Sequence, residues 1–264
     1  MTSIAPFDAS LRGSTVVVLH AHPDDEAIFT GLTIHRLTRS GARVVLVTAT
    51  KGELGVPLRP LPSGASIGDV RRAELEAAAD RLGIARVVDL GHHDSGMPGW
   101  PGAGHPKALD RADVEVLAHR VARIAEQEGA SALLHYDRNG IYGHPDHVAV
   151  HRIGARAVDL AGVTGYEATV DHEYLHFTEQ HIVEGDRPRA GRPSEVGLPT
   201  VEITTAIDGD ELDLAAKLDA MELHASQIAP IDRSHAEGPY GLEWYVRRGH
   251  PGVLEALGNA HAVA

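Results

Sequence analysis

The sequence predicts an α/β chain built on a doubly wound, mostly parallel sheet, with helices on both faces and a smaller C-terminal extension. Three observations carry this expectation. Short β-branched runs alternate with segments of helical period through about residue 162. Glycine closes most of the helical segments. Charged turns rich in histidine follow two of the apolar runs directly, where an open sheet of this kind binds its ligands.

Strand one is expected at Thr15–His20, followed by a helix from Glu26 to Arg39 that Gly41 ends. Strand two, Arg43–Thr48, is rich in β-branched residues. A second helix spans Asp69–Leu82, with Asp69 as N-cap and Gly83 after its last turn. Strand three is Val87–Leu90. The third helix, Ala112–Glu128, places Val114, Leu117, Val121 and Ile124 on one face. Strand four, Ala132–Tyr136, precedes a helix at Asp146–Leu160. Beyond Gly162 the alternation loosens. Glu173–Phe177, Val201–Ile207 and Glu243–Arg247 read as strands, Leu212–Leu223 as an amphipathic helix, and Glu179–Thr200 as a long loop rich in Gly, Pro and Arg. The expected organisation is a single catalytic domain over residues 1–264. Its core spans about 14–162, and about 163–264 completes the substrate cleft.

Composition narrows the function. A formal charge of −13 disfavours nucleic acid and anionic membranes as partners. Residues Met1 to Gly13 lack a basic-then-apolar leader pattern, and no apolar run approaches the roughly 18 residues of a membrane span. A soluble, cytoplasmic protein is expected, with homo-oligomerisation left open. There are no cysteines among the 264 residues, so any metal must sit on His, Asp or Glu. The 18 histidines are numerous for this length, and most are expected in surface or packed roles. Basic residues are nearly all Arg, a pattern that reads as GC-rich coding bias.

Two clusters carry the chemistry: His22-Pro23-Asp24-Asp25-Glu26 after strand one and His144-Pro145-Asp146-His147 after strand four. Alone, either is as readily a turn with a helix cap, since Asp is favoured at helix starts. The usual strand order 3-2-1-4 brings both to one crevice. There His22, Asp25 and His147 make a three-ligand site for one divalent ion, Zn²⁺ by default, although iron, manganese and cobalt accept the same donors. Asp24, beside a ligand and free to point elsewhere, is the candidate general base. His144 is placed to stabilise an oxyanion or protonate a leaving amine, and Asp146 to orient or charge His144. Glu26 either caps helix one or supports a ligand.

Ala21-His22-Pro23-Asp24-Asp25-Glu26 and Tyr142-Gly143-His144-Pro145-Asp146-His147 together resemble the PIG-L/LmbE-like N-acetylglucosaminyl deacetylase family. Lesser echoes are Lys51-Gly52-Glu53-Leu54-Gly55, Arg71-Arg72-Ala73-Glu74-Leu75, Asp94-Ser95-Gly96-Met97 and His224-Ala225-Ser226-Gln227. The resemblance implies a Rossmann-like fold and removal of an acetyl group from an N-acetylglucosamine-type, glycosylated small molecule. It implies the same ligands and base, Arg71 and Asp94 at sugar-contacting positions, and Tyr142 in carbonyl polarisation. Glu53, after strand two, faces the crevice as a sugar or metal-site contact, or is a solvated loop acid. Loops 56–67, 91–107 and 179–200 at the rim would set specificity, with Trp100 either stacking on a sugar or aglycone or anchoring its loop.

Competing readings differ in chemistry. An amidase acting on a thiol conjugate or another N-acyl natural product uses the same machinery. A non-haem iron oxygenase uses two His and one carboxylate; the βα alternation and the extra Asp24/His144 pair disfavour it. A nucleotide-binding module is disfavoured because no G-x-G-x-x-G follows strand one.

Overall fold

A computed structural model describes residues 11–176, 196–257 and 260–261. The strands are β1 (Thr15–His20), β2 (Arg43–Thr48), β3 (Arg86–Asp89), β4 (Ala132–Tyr136), β5 (Thr164–Thr169), β6 (Thr205–Asp208), β7 (Leu242–Arg248) and β8 (Ala260–His261). They form one sheet in the order β3-β2-β1-β4-β5-β7-β6-β8. The first five are mutually parallel; β7 runs antiparallel to β5 and β6, and β8 antiparallel to β6. The helices are α1 (Asp25–Arg39), α2 (Ile67–Leu82), α3 (Val114–Gln127), the single turn α4 (Gly140–Gly143), α5 (Pro145–Ala161), α6 (Glu211–Leu223) and the single turn α7 (Glu237–Tyr240).

Strand β1 makes the layering plain. Val17 and Leu19 join the core beneath α3 and α5, through Leu117, Val121, Val150 and Ile153. Val16 and Val18 join the opposite core, with Leu37 of α1, Leu75 of α2 and Met221 of α6. Successive strand residues face opposite sides. A strand covered on both faces therefore reads as a continuous apolar run, as parallel strands do.

The predicted β1, β2 and β4 match the observed bounds residue for residue. Helix α2 begins two residues earlier than expected, because Ser66 is its N-cap. Asp69 instead occupies the third position of a capping box, its backbone N–H donating to Ser66 Oγ at 3.2 Å. Strand β5 was not anticipated. Its charged Glu167 is buried by pairing with Arg248 of β7, a partner that local pattern cannot reveal. The predicted strand Glu173–Phe177 is not one. Tyr174–His176 is a 3-10 turn, and Phe177 lies outside the described residues. The Asp171 carboxylate accepts the Glu173 and Tyr174 N–H groups and turns the chain there. Of the predicted strand Val201–Ile207, the first part is a 3-10 turn (Thr200–Glu202) entered from Pro199, and only Thr205 onward pairs. The loop expected at 179–200 lies outside the described residues up to residue 195. No helix among the described residues is long and apolar enough to cross a membrane.

Helix α1 carries the site and is fixed at its far end by α6. Asp213, fully buried, accepts from Arg36 Nε at 2.8 Å, Arg39 Nη1 at 2.8 Å and His35 Nδ1 at 2.9 Å. Burial works to raise the Asp213 pKa; the His35 hydrogen bond and the charges of Arg36 and Arg39 outweigh it and bring it to about 2. With a folded-state value below the ordinary 3.8, ionised Asp213 stabilises the fold at and above about pH 4. That contribution is lost as pH falls through about 2. Asp213→Ala, which leaves buried Arg36 without this partner, should destabilise the chain by about 3–5 kcal/mol. Urea melts at neutral pH check this. An unchanged midpoint there would remove the network from the account of stability.

Candidate metal centre

Because β1 and β4 are neighbours, Val18 opposite Leu134, their carboxyl ends deliver both His-Pro-Asp segments to one place. Tyr136, the last residue of β4, couples them. Its hydroxyl accepts the Ala21 N–H at 2.9 Å and donates to Asp25 Oδ2 at 2.7 Å. Its ring stacks on His147, centroids 4.3 Å apart and planes 14° from parallel. Burial, then the Asp25 charge, pushes the Tyr136 pKa well up, so the phenol remains a donor. Asp25 Oδ2 also accepts the His22 N–H at 2.8 Å, which leaves Oδ1 facing His147 Nε2 at 3.4 Å. His22 Nδ1 lies 3.4 Å from Asp25 Oδ2.

This donor set fits a divalent cation. His22, Asp25 and His147 are all buried. Both ring nitrogens of His147 are buried and make no hydrogen bond among the described residues, an expensive state that a bound cation would relieve at one of the two. Burial opposes a charged His22, yet Asp94, Asp146 and Asp25 outweigh it and raise its pKa well above the ordinary value. Burial likewise opposes an ionised Asp25, and His147 and His22 hold its pKa well below the usual carboxylate range. The pocket thus attracts positive charge. Nitrogens of His22, His144 and His147 lie within 4.8 Å of one another, as do donor atoms of His22, Asp94 and Asp146, and Asp25 is in neither group. His22 belongs to both groups and is the centre of the cluster.

The flanking residues have defined partners. Asp24 occupies the N-cap position of α1, but its side chain makes no capping bond. Its backbone is left-handed (φ 104°, ψ −29°), a conformation that costs a non-glycine residue about 1–3 kcal/mol and persists only when neighbours hold it. Arg71 does so: Nη2 donates to Pro23 O at 2.6 Å and Asp24 Oδ2 at 3.2 Å, and Nη1 to Gly52 O at 2.9 Å. Gly52 is itself left-handed, and a Cβ there would lie 2.1 Å from Arg71 Nη1. Burial raises the Asp24 pKa, opposed by Arg71 and reinforced by Asp25, to about 6.

His144 is the N-cap of α5, its Nδ1 accepting the Asp146 N–H at 3.1 Å, with Pro145 beginning the helix. Burial, with His22 and His147 nearby, lowers the His144 pKa to about 2. The Asp146 carboxylate does not reach His144, where the sequence reading put it. It lies on His22 Nε2 at 3.1 Å and accepts from Ser95 N and Ser95 Oγ. A helix N-cap receives the backbone N–H two residues on, and the side chain at that second position turns away from the cap. Asp94 Oδ1 is 3.7 Å from His22 Nε2, and its oxygens accept Leu54 N and Gly96 N. Glu53 Oε2 accepts Asp94 N at 3.1 Å. Tyr142 packs edge-on to His147 at 4.9 Å. The structure thus brings all ten predicted residues into one connected cluster. Arg71 and Asp94 lie buried within it, and Glu53 and Tyr142 are only partly buried.

Sequence reasoning gave no role to Tyr136, Ser95 or His224. Tyr136 was legible only as a strand end, although a phenol where β4 ends beside β1 is a signal. Ser95 sits inside the quoted Asp94-Ser95-Gly96 segment. His224, fully buried at the end of α6, bonds Glu26 Oε1 at 2.6 Å across 198 positions of sequence.

Comparison with known proteins agrees with this geometry. Residues 17–158 match the model of the family described as PIG-L: GlcNAc-PI de-N-acetylase. The 1D-myo-inositol 2-acetamido-2-deoxy-alpha-D-glucopyranoside deacetylase of Acidothermus cellulolyticus is 35% identical over 257 residues, covering 88% of each chain. That of Salinispora arenicola is 36% identical over 248 residues, covering 86% of this chain and 77% of its own. The zinc-inhibited form of a teicoplanin deacetylase superposes with a TM-score of 0.58 at 18% identity, over 89% of this chain and 99% of that one, a likeness of fold. With both His-Pro-Asp segments inside the matched region and converging on one buried cluster, this chain belongs to the PIG-L family of N-deacetylases.

Proposed function

We propose that this chain hydrolyses the N-acetyl amide of an N-acetylglucosamine-type amino sugar, releasing acetate and a free amine. One observation carries the reading: a carboxylate outside the ligand set, Asp24, is held beside the cluster of His22, Asp25 and His147 in a strained conformation that its helix does not need. We infer that His22, Asp25 and His147 hold the ion, by default Zn²⁺. When bound, such an ion polarises an acyl oxygen and lowers the pKa of a neighbouring water.

Asp24 takes the proton of the attacking water. A carboxylate brought to about 6 by burial is ionised at neutral pH, yet more basic than a solvated one. His144 donates to the developing oxyanion. Its Nδ1 accepts a backbone N–H, so the neutral ring carries its proton on Nε2. That arrangement favours a hydrogen-bond donor over a proton source. The proton on Asp24 then passes to the nitrogen as the C–N bond breaks, so atoms and charge balance. Asp146 and Ser95 orient His22. Arg71 and Asp94 support the wall, while Glu53 and Tyr142 meet the sugar or its carbonyl. The substrate is a small glycosylated molecule, met in the cytoplasm.

The test is incubation of the metal-loaded protein with acetylated amino sugars and other N-acyl compounds, assaying acetate and primary amine. The inositol-linked 2-acetamido sugar named for the relatives comes first. A folded, loaded chain inert across the panel overturns the proposal. The ligand assignment is checked apart from turnover. Asp25→Ala should lose metal by elemental analysis, whereas His144→Ala should retain it and lose roughly 10²–10³-fold in kcat. The reverse pattern would make His144 the ligand.

A further inference from the structure

Among the described residues, the C-terminal part of the chain meets segment 22–26 at a buried pair, His224 and Glu26. Glu26, in the first turn of α1, is fully buried, as is His224, which follows the last residue of α6. Glu26 Oε1 lies 2.6 Å from His224 Nε2, and Glu26 Oε2 accepts the Asp24 N–H at 3.0 Å. The other ring nitrogen of His224 is buried with no hydrogen-bond partner among the described residues. His224 is anchored in turn: its N–H donates to Met221 O, and Ser226 N and Oγ bind Glu74 of α2. The same helix supplies Arg71, which grips Pro23 O and Asp24 Oδ2. Residue 24 is therefore held from both sides, at its N–H by Glu26 and at its carboxylate by Arg71. His224 lies outside residues 17–158 that match the family model.

We propose that the His224–Glu26 pair is a positioning device that keeps Asp24 in its left-handed conformation and so aims the carboxylate that takes the proton. An ionised carboxylate only accepts hydrogen bonds, and each Glu26 oxygen here has one donor in this arrangement. Fixing one oxygen on His224 sets where the other can meet Asp24 N–H. Without that contact Asp24 loses one of the two grips that hold a residue with a Cβ at positive φ, and it relaxes toward the allowed regions. The proposal rests on Asp24 being the base.

The test compares His224→Leu, which fills the space but cannot donate, with His224→Gln, which can. In His224→Leu, kcat should fall roughly 10–100-fold, as for a misaimed catalytic group. KM should stay within about twofold and the metal content should stay unchanged, since binding is not the property lost. His224→Gln should recover most of the loss. A crystal structure of His224→Leu should find residue 24 out of the positive-φ region. Unchanged kcat, equal losses in both variants, or a retained positive φ at residue 24 would each overturn the proposal. Should His224→Leu fail to fold, Glu26→Met, whose side chain can accept from neither His224 nor Asp24 N–H as the carboxylate does, is read the same way. If the wild type cleaves no N-acetyl amino sugar, the proposed reaction fails, and the backbone of residue 24 in the variant still decides the positioning role.

Discussion

Replacing Asp24 by Asn should lower kcat by roughly 10²–10⁴-fold, the usual worth of a positioned general base, while leaving the fold and the metal content intact. The substitution keeps shape and removes basicity. Asn tolerates the left-handed backbone that residue 24 adopts at φ 104° as well as Asp does. Arg71 keeps its bonds to Pro23 O and Gly52 O, so the loop remains anchored. The proposed ligands His22, Asp25 and His147 lie against one another and against Tyr136 rather than against Asp24. Steady-state kinetics and elemental analysis of the same preparation measure the effect. Full rate in the variant would move the base elsewhere, and loss of metal together with rate would make Asp24 a ligand.

Exhaustive chelation should reduce turnover to background, and refilling with a divalent ion should restore it. The argument is electrostatic. Asp25, Asp94 and Asp146 converge on His22 in a buried pocket, where anions are costly unless a positive charge compensates them. Removing the ion takes away that compensation along with the Lewis acid. Stability should follow: an ion that binds only the folded chain raises stability by about 2.7 kcal/mol at a hundredfold excess over its Kd. The melting temperature should therefore climb with added metal. Refilling with Zn²⁺, Fe²⁺, Mn²⁺ and Co²⁺ in parallel ranks the ions by restored rate. Full activity in chelated protein with negligible metal would refute the centre.

Much of this site was legible before any coordinate. The paired His-Pro-Asp segments, placed after the two strands that adjoin, pointed to the buried cluster around His22 that the structure brings together. Other features were hidden for definite reasons. Strand β5 carries Glu167, whose charge breaks the apolar pattern and is compensated by Arg248 at a distance of 81 positions. Asp146 was expected to serve His144 from sequence proximity. The helix cap instead uses its backbone N–H there and turns its carboxylate to His22, 124 positions away. The family resemblance implied a sugar-contacting position for Arg71, and the bonds of its guanidinium to Pro23, Gly52 and Asp24 could be seen only in the fold.

The sequence by itself determined the layered α/β plan, the crevice where β1 and β4 end, and the residue types able to hold an ion there. These are local properties: periodicity, β-branching and the donor chemistry of a turn. The tertiary structure alone decided how each side chain is used. Whether a carboxylate acts as a base, a ligand or a brace depends on which partners from other elements meet its oxygens and how deeply they bury it. Asp24 and Glu26 lie within one turn of each other, and it is Arg71 of α2 and His224 at the end of α6 that give them different work.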